Sequence, residues 1–393
     1  MRRRSQLFIF FLLTTSAVFG QSKSKLHESA ILVDTHNDVL STVTMKGLNF
    51  ENDLRGKSQS DLYRFKQGGV DVQVFSIFCD ERFGKDTAFK YANIEIDSLY
   101  AMARRNPDKM SIVTNVSELE LAVKQKKLAA MMGVEGGHMI EDELSKLDSL
   151  YKRGVRYMTL TWNNSTSWAT SAKDESQHKS PNPSIGLNDF GKQVIQRMNE
   201  LGMLVDFSHV GEKTFWDAIS ITTKPVIASH SCVYALCPVF RNLKDDQIKA
   251  IGKNGGVIHL NFYSGFVDSS FLRKQTAFIF AHSREVDSLT KLKWASYEIE
   301  EWLAKTYRAE AEALRPPLSM LLDHLDYIVK LIGVDHVGLG SDFDGVDSTP
   351  QGLDGVQDFP KITDALRERG YSKKQIKKIL GGNFIRVLKA NTR

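Results

Sequence analysis

Apolar residues along this chain follow two alternating rhythms. Short apolar runs read as strands near 31–35, 70–78, 129–134, 155–161, 203–208, 225–229, 256–262 and 336–341, because side chains two apart on a strand share a face. Stretches with helical spacing lie between most of them, among them Asn93–Arg104, Ser117–Lys126, Asp142–Arg153, Leu187–Leu201 and Asp245–Lys253. Alternating strand and helix predicts a parallel sheet, and a chain of such units with no gap predicts closure into an α/β (β/α)8 TIM barrel. One connection is too long for a simple crossover. From Ser264 to Pro317 the chain is polar, charged and mostly helix-compatible, which predicts a helical insertion after strand 7. Two readings of it stand side by side: a segment that borders or covers a pocket, or a lengthened outer helix with no role there.

The strand ends carry the chemistry. The first apolar run stops at His36 and Asp38, and later ones stop at Glu135, His209, His230 and Asp342. Each alone is weak evidence, since a histidine near a carboxylate is common. Together they are hard to explain as core packing, because unpaired buried carboxylates and imidazoles are costly. A parallel barrel builds its site from the C-terminal ends of several strands, so the pattern predicts a metal-dependent hydrolase. Three histidines and two carboxylates (His36, Asp38, Glu135, His209, His230) exceed what one tetrahedral zinc uses, which favours two ions sharing a carboxylate. Glu135, with two oxygens on a middle strand, is the natural bridge, and Asp342 is left as a base.

The ends of the chain and its composition narrow the class. Arg2-Arg-Arg4 precedes the apolar run Leu7–Leu13, with small residues at Ala17 and Gly20. That is the pattern of a signal peptide over 1–20, too short for a membrane span, ahead of a single hydrolase domain over 21–393. An exported protein, periplasmic or secreted and soluble, is expected, without a membrane span. The formal charge of +5 falls to +2 when the three leader arginines are set aside, too little to imply nucleic acid. Three cysteines, Cys79, Cys232 and Cys237, do not make a disulfide scaffold. The oligomeric state is left open, a homodimer included.

Eight stretches resemble the renal (membrane) dipeptidase family of amidohydrolase-like barrels, peptidase family M19. They are Asp34-Thr-His-Asn-Asp38, Gly133-Val-Glu-Gly-Gly-His138, Gly154-Val-Arg-Tyr-Met-Thr-Leu-Thr161, Asp206-Phe-Ser-His209, Ala228-Ser-His-Ser231, Phe240-Arg-Asn242, Gly340-Ser-Asp-Phe-Asp-Gly345 and Gly381-Gly-Asn-Phe384. The resemblance covers nearly the whole chain beyond the leader. It implies two zinc ions per chain, one held by His36, Asp38 and Glu135, the other by Glu135, His209 and His230. It implies a dipeptidase in which a hydroxide held between the metals attacks the peptide bond, with a C-terminal D-residue among the substrates to be tested. Asp342 would then handle protons, and Arg241 with Tyr263 would receive the substrate's terminal carboxylate. The alternatives are another amidohydrolase activity, such as N-acyl amino acid deacylation or β-lactam hydrolysis, and a non-catalytic exported binding protein.

The chain departs from the resemblance at one place. After Thr159-Leu-Thr161, where the family has a histidine thought to contact the substrate carbonyl, this chain has Trp162, followed by Asn163 and Asn164. An indole has one N–H to donate and cannot become cationic. The oxyanion could be met by Trp162, by an adjacent asparagine or by the zinc ions alone. Asn163 is slightly favoured, because a side-chain amide can serve as an oxyanion donor.

Overall fold

Alternate residues of one strand show how the barrel is filled. Ala129 and Met131 pack in one buried cluster with Val33, Val72, Val74, Tyr157, Leu204, Ile227 and Val257. Gly133 and Glu135 continue the same face upward. The computed structural model describes residues 24–179 and 185–392, so the expected leader over 1–20 lies outside the described residues. Its strands are β1 (Val33–Asn37), β2 (Val72–Ile77), β3 (Met110–Ile112), β4 (Leu128–Glu135), β5 (Val155–Thr159), β6 (Leu204–Asp206), β7 (Ile227–Ala228), β8 (Val257–Leu260) and β9 (Val337–Leu339). All pair in parallel, in the order β1-β2-β4-β5-β6-β7-β8-β9. A parallel bridge between Asn37 and Phe343 joins the two ends and closes an eight-stranded barrel. The expected fold is therefore the observed one.

Two differences have physical causes. β3 pairs only with β4, outside the barrel path, and was not expected; three residues are too few to show a rhythm. The strands also end earlier than the apolar runs suggest. Residues 225–229 yield only Ile227–Ala228, and 203–208 only Leu204–Asp206. Beyond those points the backbone leaves the ladder to aim polar side chains across the barrel mouth, and two of the residues that do so, His209 (φ 64°) and Asp342 (φ 61°), are left-handed.

The barrel is apolar at its base and polar at its top. The helix Asn383–Asn391 closes the base with Phe384, Val387 and Leu388. The Asn383 amide donates to the carbonyls of Val334 (2.7 Å) and Val337 (2.8 Å) and pins that helix under β9. Toward the C-terminal strand ends the buried residues become Thr35, Ser76, Thr159, Asp206, Ser229 and Asn261. The long connection between β8, the seventh strand of the barrel path, and β9 folds as helices Ser264–Val267, Phe271–Ala281, Ser283–Lys291, Ser296–Thr306 and Arg308–Leu314. No helix among the described residues is long and apolar enough to cross a membrane.

Gly133 leaves no room for a side chain. A Cβ there would lie 2.0 Å from Cζ of Tyr157, a ring that crosses the barrel interior. Gly133→Ala should lower the unfolding free energy by about 1–3 kcal/mol, the usual range for overpacking a close-packed core. Denaturant unfolding checks this; an unchanged midpoint would contradict the packing described.

Candidate metal centre

Barrel closure brings the expected strand-end residues to one buried point. Among the described residues, the ligand atoms of His36, Asp38 and Glu135 lie within 4.8 Å of one another, as do those of Glu135, His209 and His230, and those of His36, His230 and Asp342. Glu135 belongs to the first two groups, and its two oxygens divide between them. Oε1 is 2.8 Å from His209 Nε2 and 3.4 Å from His230 Nε2, whereas Oε2 is 3.5 Å from His36 Nε2. Asp38 Oδ2 lies 3.4 Å from His36 Nε2, and Asp342 Oδ1 lies 4.0 Å from it.

The outer nitrogens of the three imidazoles fix which way they face. His36 Nδ1 is 2.8 Å from the Tyr157 hydroxyl, which in turn lies 3.2 Å from the Thr35 carbonyl. His209 Nδ1 is 3.1 Å from the Asn163 amide oxygen. His230 Nδ1 is 2.7 Å from Ser229 Oγ, whose hydroxyl donates to Asp206 Oδ2 at 2.6 Å. An amide oxygen accepts, and a hydroxyl already donating elsewhere also accepts. Each Nδ1 therefore carries a proton, so the Nε2 of a neutral imidazole here turns its lone pair inward. Outer partners of this kind are what orient metal-binding histidines.

The cluster also shows what it lacks. His36 Nε2 and Asp38 Oδ1 are buried without a hydrogen-bond partner, and His209 Nε2 sits 3.1 Å from His230 Nε2. Two inward lone pairs at that distance, beside three buried carboxylates, call for a cation. The titration tendencies agree. Burial holds Asp342 well above the ordinary carboxylate range, with Asp38 and Glu135 adding to it. Burial pushes His209 down to about 4 and His230 well below the ordinary imidazole value. Burial also opposes charge on His36, yet Tyr157, Glu135 and Asp38 outweigh it and hold that imidazole well above its ordinary value. The cluster thus draws its positive charge onto a single histidine, where bound cations would supply it. The donor set of imidazole nitrogens and carboxylate oxygens suits zinc.

The loop after β9 holds the far side of this point. A Cβ on Gly345 would lie 2.3 Å from Asp38 Oδ2 and 2.5 Å from Asp342 Oδ1, so only glycine lets the chain pass so close to both carboxylates. Asn261 Nδ2 donates to Asp342 Oδ2 at 2.7 Å. The left-handed conformations of His209 and Asp342 each cost about 1–3 kcal/mol. Ala172 N–H to His209 O (2.8 Å) and Asp342 N–H to His36 O (3.0 Å) help to hold them.

The family model described as membrane dipeptidase (peptidase family M19) matches residues 21–393. The chain belongs to the membrane dipeptidase family. It is 30% identical over 381 residues to mouse Dipeptidase 3, covering 94% of this chain and 67% of that protein. It is 30% identical to the Macaca fascicularis Dipeptidase 3 as well, covering 91% of this chain and 64% of that protein. The chain thus spans about two thirds of the length of these relatives. Among solved structures it resembles the probable dipeptidase PvdM from Pseudomonas aeruginosa, with TM-score 0.75 and 26% identity over 93% of this chain and 96% of that one. It also shares its fold with a metallo peptidase from Rhodobacter sphaeroides liganded with a phosphinate mimic of the dipeptide L-Ala-D-Ala, with TM-score 0.74 and 23% identity over 92% of this chain and 99% of that one. Membership makes this a barrel of the metal-dependent dipeptidase family.

Within this membrane dipeptidase family barrel, the remaining expected residues fall as follows. Arg241 is buried beside the cluster. Its Nη2 is 3.3 Å from the His230 carbonyl and its Nη1 is 3.5 Å from Ser231 Oγ, while Nε has no partner. Its guanidinium stands 5.3 Å from the Phe266 ring centre. Tyr263 packs on Phe266 at 4.9 Å, so Tyr263 and Arg241 border the same wall. Trp162 lies against Phe78, with ring centres 5.0 Å apart and its own ring 6.3 Å from that of His209. The Asn163 amide oxygen accepts from His209 Nδ1. The three cysteines are free and buried, and His138 Nε2 donates to the Cys79 carbonyl at 2.9 Å.

Tyr157, Asp206, Ser229 and Asn261 were missed by sequence reasoning. The first three stand behind the imidazoles, and their polar signal is diluted beside apolar runs. Asn261 shares a strand face with Tyr263, and only its folded contact with Asp342 distinguishes it from barrel filling. Tyr157→Phe should loosen metal at the His36 side by about 10–100-fold, the usual cost of losing an outer partner, while the His209 and His230 side holds. Competition with a chromophoric chelator measures this; two unchanged affinities would contradict the orienting role.

Proposed function

We propose that this protein is a zinc-dependent dipeptidase. The observation that carries the reading is the division of Glu135 between two imidazole groups, beside a buried arginine whose Nε has no partner. His36, Asp38 and Glu135 would hold one zinc ion, and Glu135, His209 and His230 the other. When bound, the two ions would lower the pKa of water from 15.7 to about 7 and polarise the peptide carbonyl. Arg241 would take the free carboxylate of the substrate through a two-pronged pair, with Tyr263 on the same wall. That anchor places the scissile bond toward the strand ends and selects short peptides.

Asp342 would take the proton released as water attacks and deliver it to the departing amine, since an amide nitrogen leaves poorly unprotonated. Burial raises its proton affinity, and the Asn261 amide offsets part of that by hydrogen-bonding the carboxylate. Asn163 would keep His209 oriented, and Trp162 with Phe78 would wall the site. We read the leader-like stretch over 1–20 as an export signal, which would put this activity outside the cytoplasm.

Three outcomes test the reading. The purified protein should carry close to two zinc ions per chain, and chelation should abolish dipeptide hydrolysis until zinc is restored; full activity with at most one ion would overturn the two-ion assignment. Asp342→Asn should keep both ions yet lower kcat by about 10²–10⁴-fold, the usual worth of a placed proton-transfer group, whereas Arg241→Ala should act mainly by raising KM for substrates with a free carboxylate. Asn261→Ala removes a bond to the carboxylate form of Asp342, so the pKa of Asp342 rises. The acidic limb of the kcat/KM profile should then move to higher pH, and an unmoved limb would contradict the pairing.

A further inference from the structure

A cavity of about 610 Å3 opens directly beside the metal cluster, with His209 and Arg241 among its lining residues. Its other walls include Tyr234, Phe240, Phe266 and Leu272. Tyr234 is 37% exposed, Phe240 42% and Leu272 46%. Large apolar side chains left in solvent at the rim of one cavity are apolar area waiting for a partner. Phe240 precedes Arg241 in the chain, Phe266 lies 5.3 Å from its guanidinium, and Leu272 belongs to the helix Phe271–Ala281 of the insertion after β8.

The charged groups in this cavity are already satisfied. Lys244 Nζ pairs with Glu212 Oε2 at 2.6 Å. Glu175 accepts from the Thr170 hydroxyl through Oε1 and from the Lys213 N–H at 3.1 Å through Oε2. Gln247 Oε1 accepts from the Lys244 N–H at 2.9 Å. Arg241 is the exception, with its buried Nε unpartnered. The cavity therefore offers one cationic anchor and an apolar wall.

We infer that this cavity selects dipeptides whose C-terminal residue has a large apolar side chain, with Phe240 and Leu272 as the specificity-determining residues. The inference rests on the dipeptidase reading and deepens it. A terminal carboxylate and its side chain branch from the same Cα. A carboxylate on Arg241 therefore places that side chain in the cavity Arg241 lines. A leucine or phenylalanine side chain would cover Phe240 and Leu272 and lose water-exposed area of its own. A charged side chain would find no free partner there and would lose solvation.

The test uses the full zinc-loaded chain and two measurements. In the first, Ala-Gly, Ala-Leu, Ala-Phe and Ala-Glu are compared as substrates. Ala-Leu and Ala-Phe should exceed Ala-Gly in kcat/KM by about 10-fold or more, the scale of discrimination that apolar pockets achieve, and Ala-Glu should fall below Ala-Leu. Phe240→Ser and Leu272→Gln, on separate elements and both at partly exposed positions, should each lower the Ala-Phe to Ala-Gly ratio by about 5–10-fold, as expected for an apolar pocket that loses part of its wall. Equal rates across the series, or variants that leave the ratio unchanged, overturn the inference. The second measurement is calorimetric binding of free glycine, leucine and phenylalanine, which carry the same carboxylate and need no turnover. Leucine and phenylalanine should bind more tightly than glycine, and equal affinities overturn the inference. Tighter binding of the apolar amino acids without hydrolysis of any dipeptide would retain the pocket and sink the dipeptidase reading instead.

Discussion

Glu135 is the residue on which the site depends. It is a single carboxylate at the end of β4, 4% exposed, with imidazole nitrogens against both of its oxygens. Burial alone would push its pKa up, but the charge on His36 pulls it well below the ordinary range. It therefore stays ionised in the interior. An ionised carboxylate buried among further carboxylates is stable only if positive charge is supplied to it. The polar layer above the apolar barrel base serves that requirement, and so do the outward hydrogen bonds of the three imidazoles.

Those outward bonds explain why the polar layer is as deep as it is. Asp206 accepts from Ser229 Oγ, from Ser229 N–H at 2.7 Å and from Thr159 Oγ1 at 2.5 Å. Through Ser229 it fixes His230 without touching it. Asp34 does comparable work on the opposite side, where Ser341 donates to it through its N–H at 2.8 Å and its hydroxyl at 2.7 Å, shaping the turn that leads to Asp342. Burial raises the pKa of Asp34 to about 6, a sign of how little water reaches this layer. The barrel thus spends part of its interior on groups that never meet a ligand and only hold those that do.

Much of this was legible in the sequence for a simple reason. Strand-end residues such as His36, Glu135 and His230 stand where an apolar rhythm stops, so a polar side chain there is conspicuous. The alternation of strand and helix also fixes which end of the barrel they share. Residues inside the rhythm were harder to see. Tyr157 reads as ordinary core until its hydroxyl is found beside His36, and β3 is too short to show a period. Asn163 was legible only as a neighbour of Trp162, and its folded contact, an amide oxygen set against His209 Nδ1, could not be read from spacing. The insertion between β8 and β9 was visible as a length anomaly, but only its folded position shows that Leu272 reaches the cavity beside Arg241.

The central claim is that Glu135 joins two metal ions. Anomalous diffraction at the zinc absorption edge, from crystals of the zinc-loaded protein, tests it most directly. The account predicts two anomalous peaks, one between His36 and Asp38 and one between His209 and His230, each at a zinc–oxygen distance of about 2.0–2.2 Å from a different oxygen of Glu135. A single peak, or two peaks of which one lies out of reach of Glu135, would contradict it.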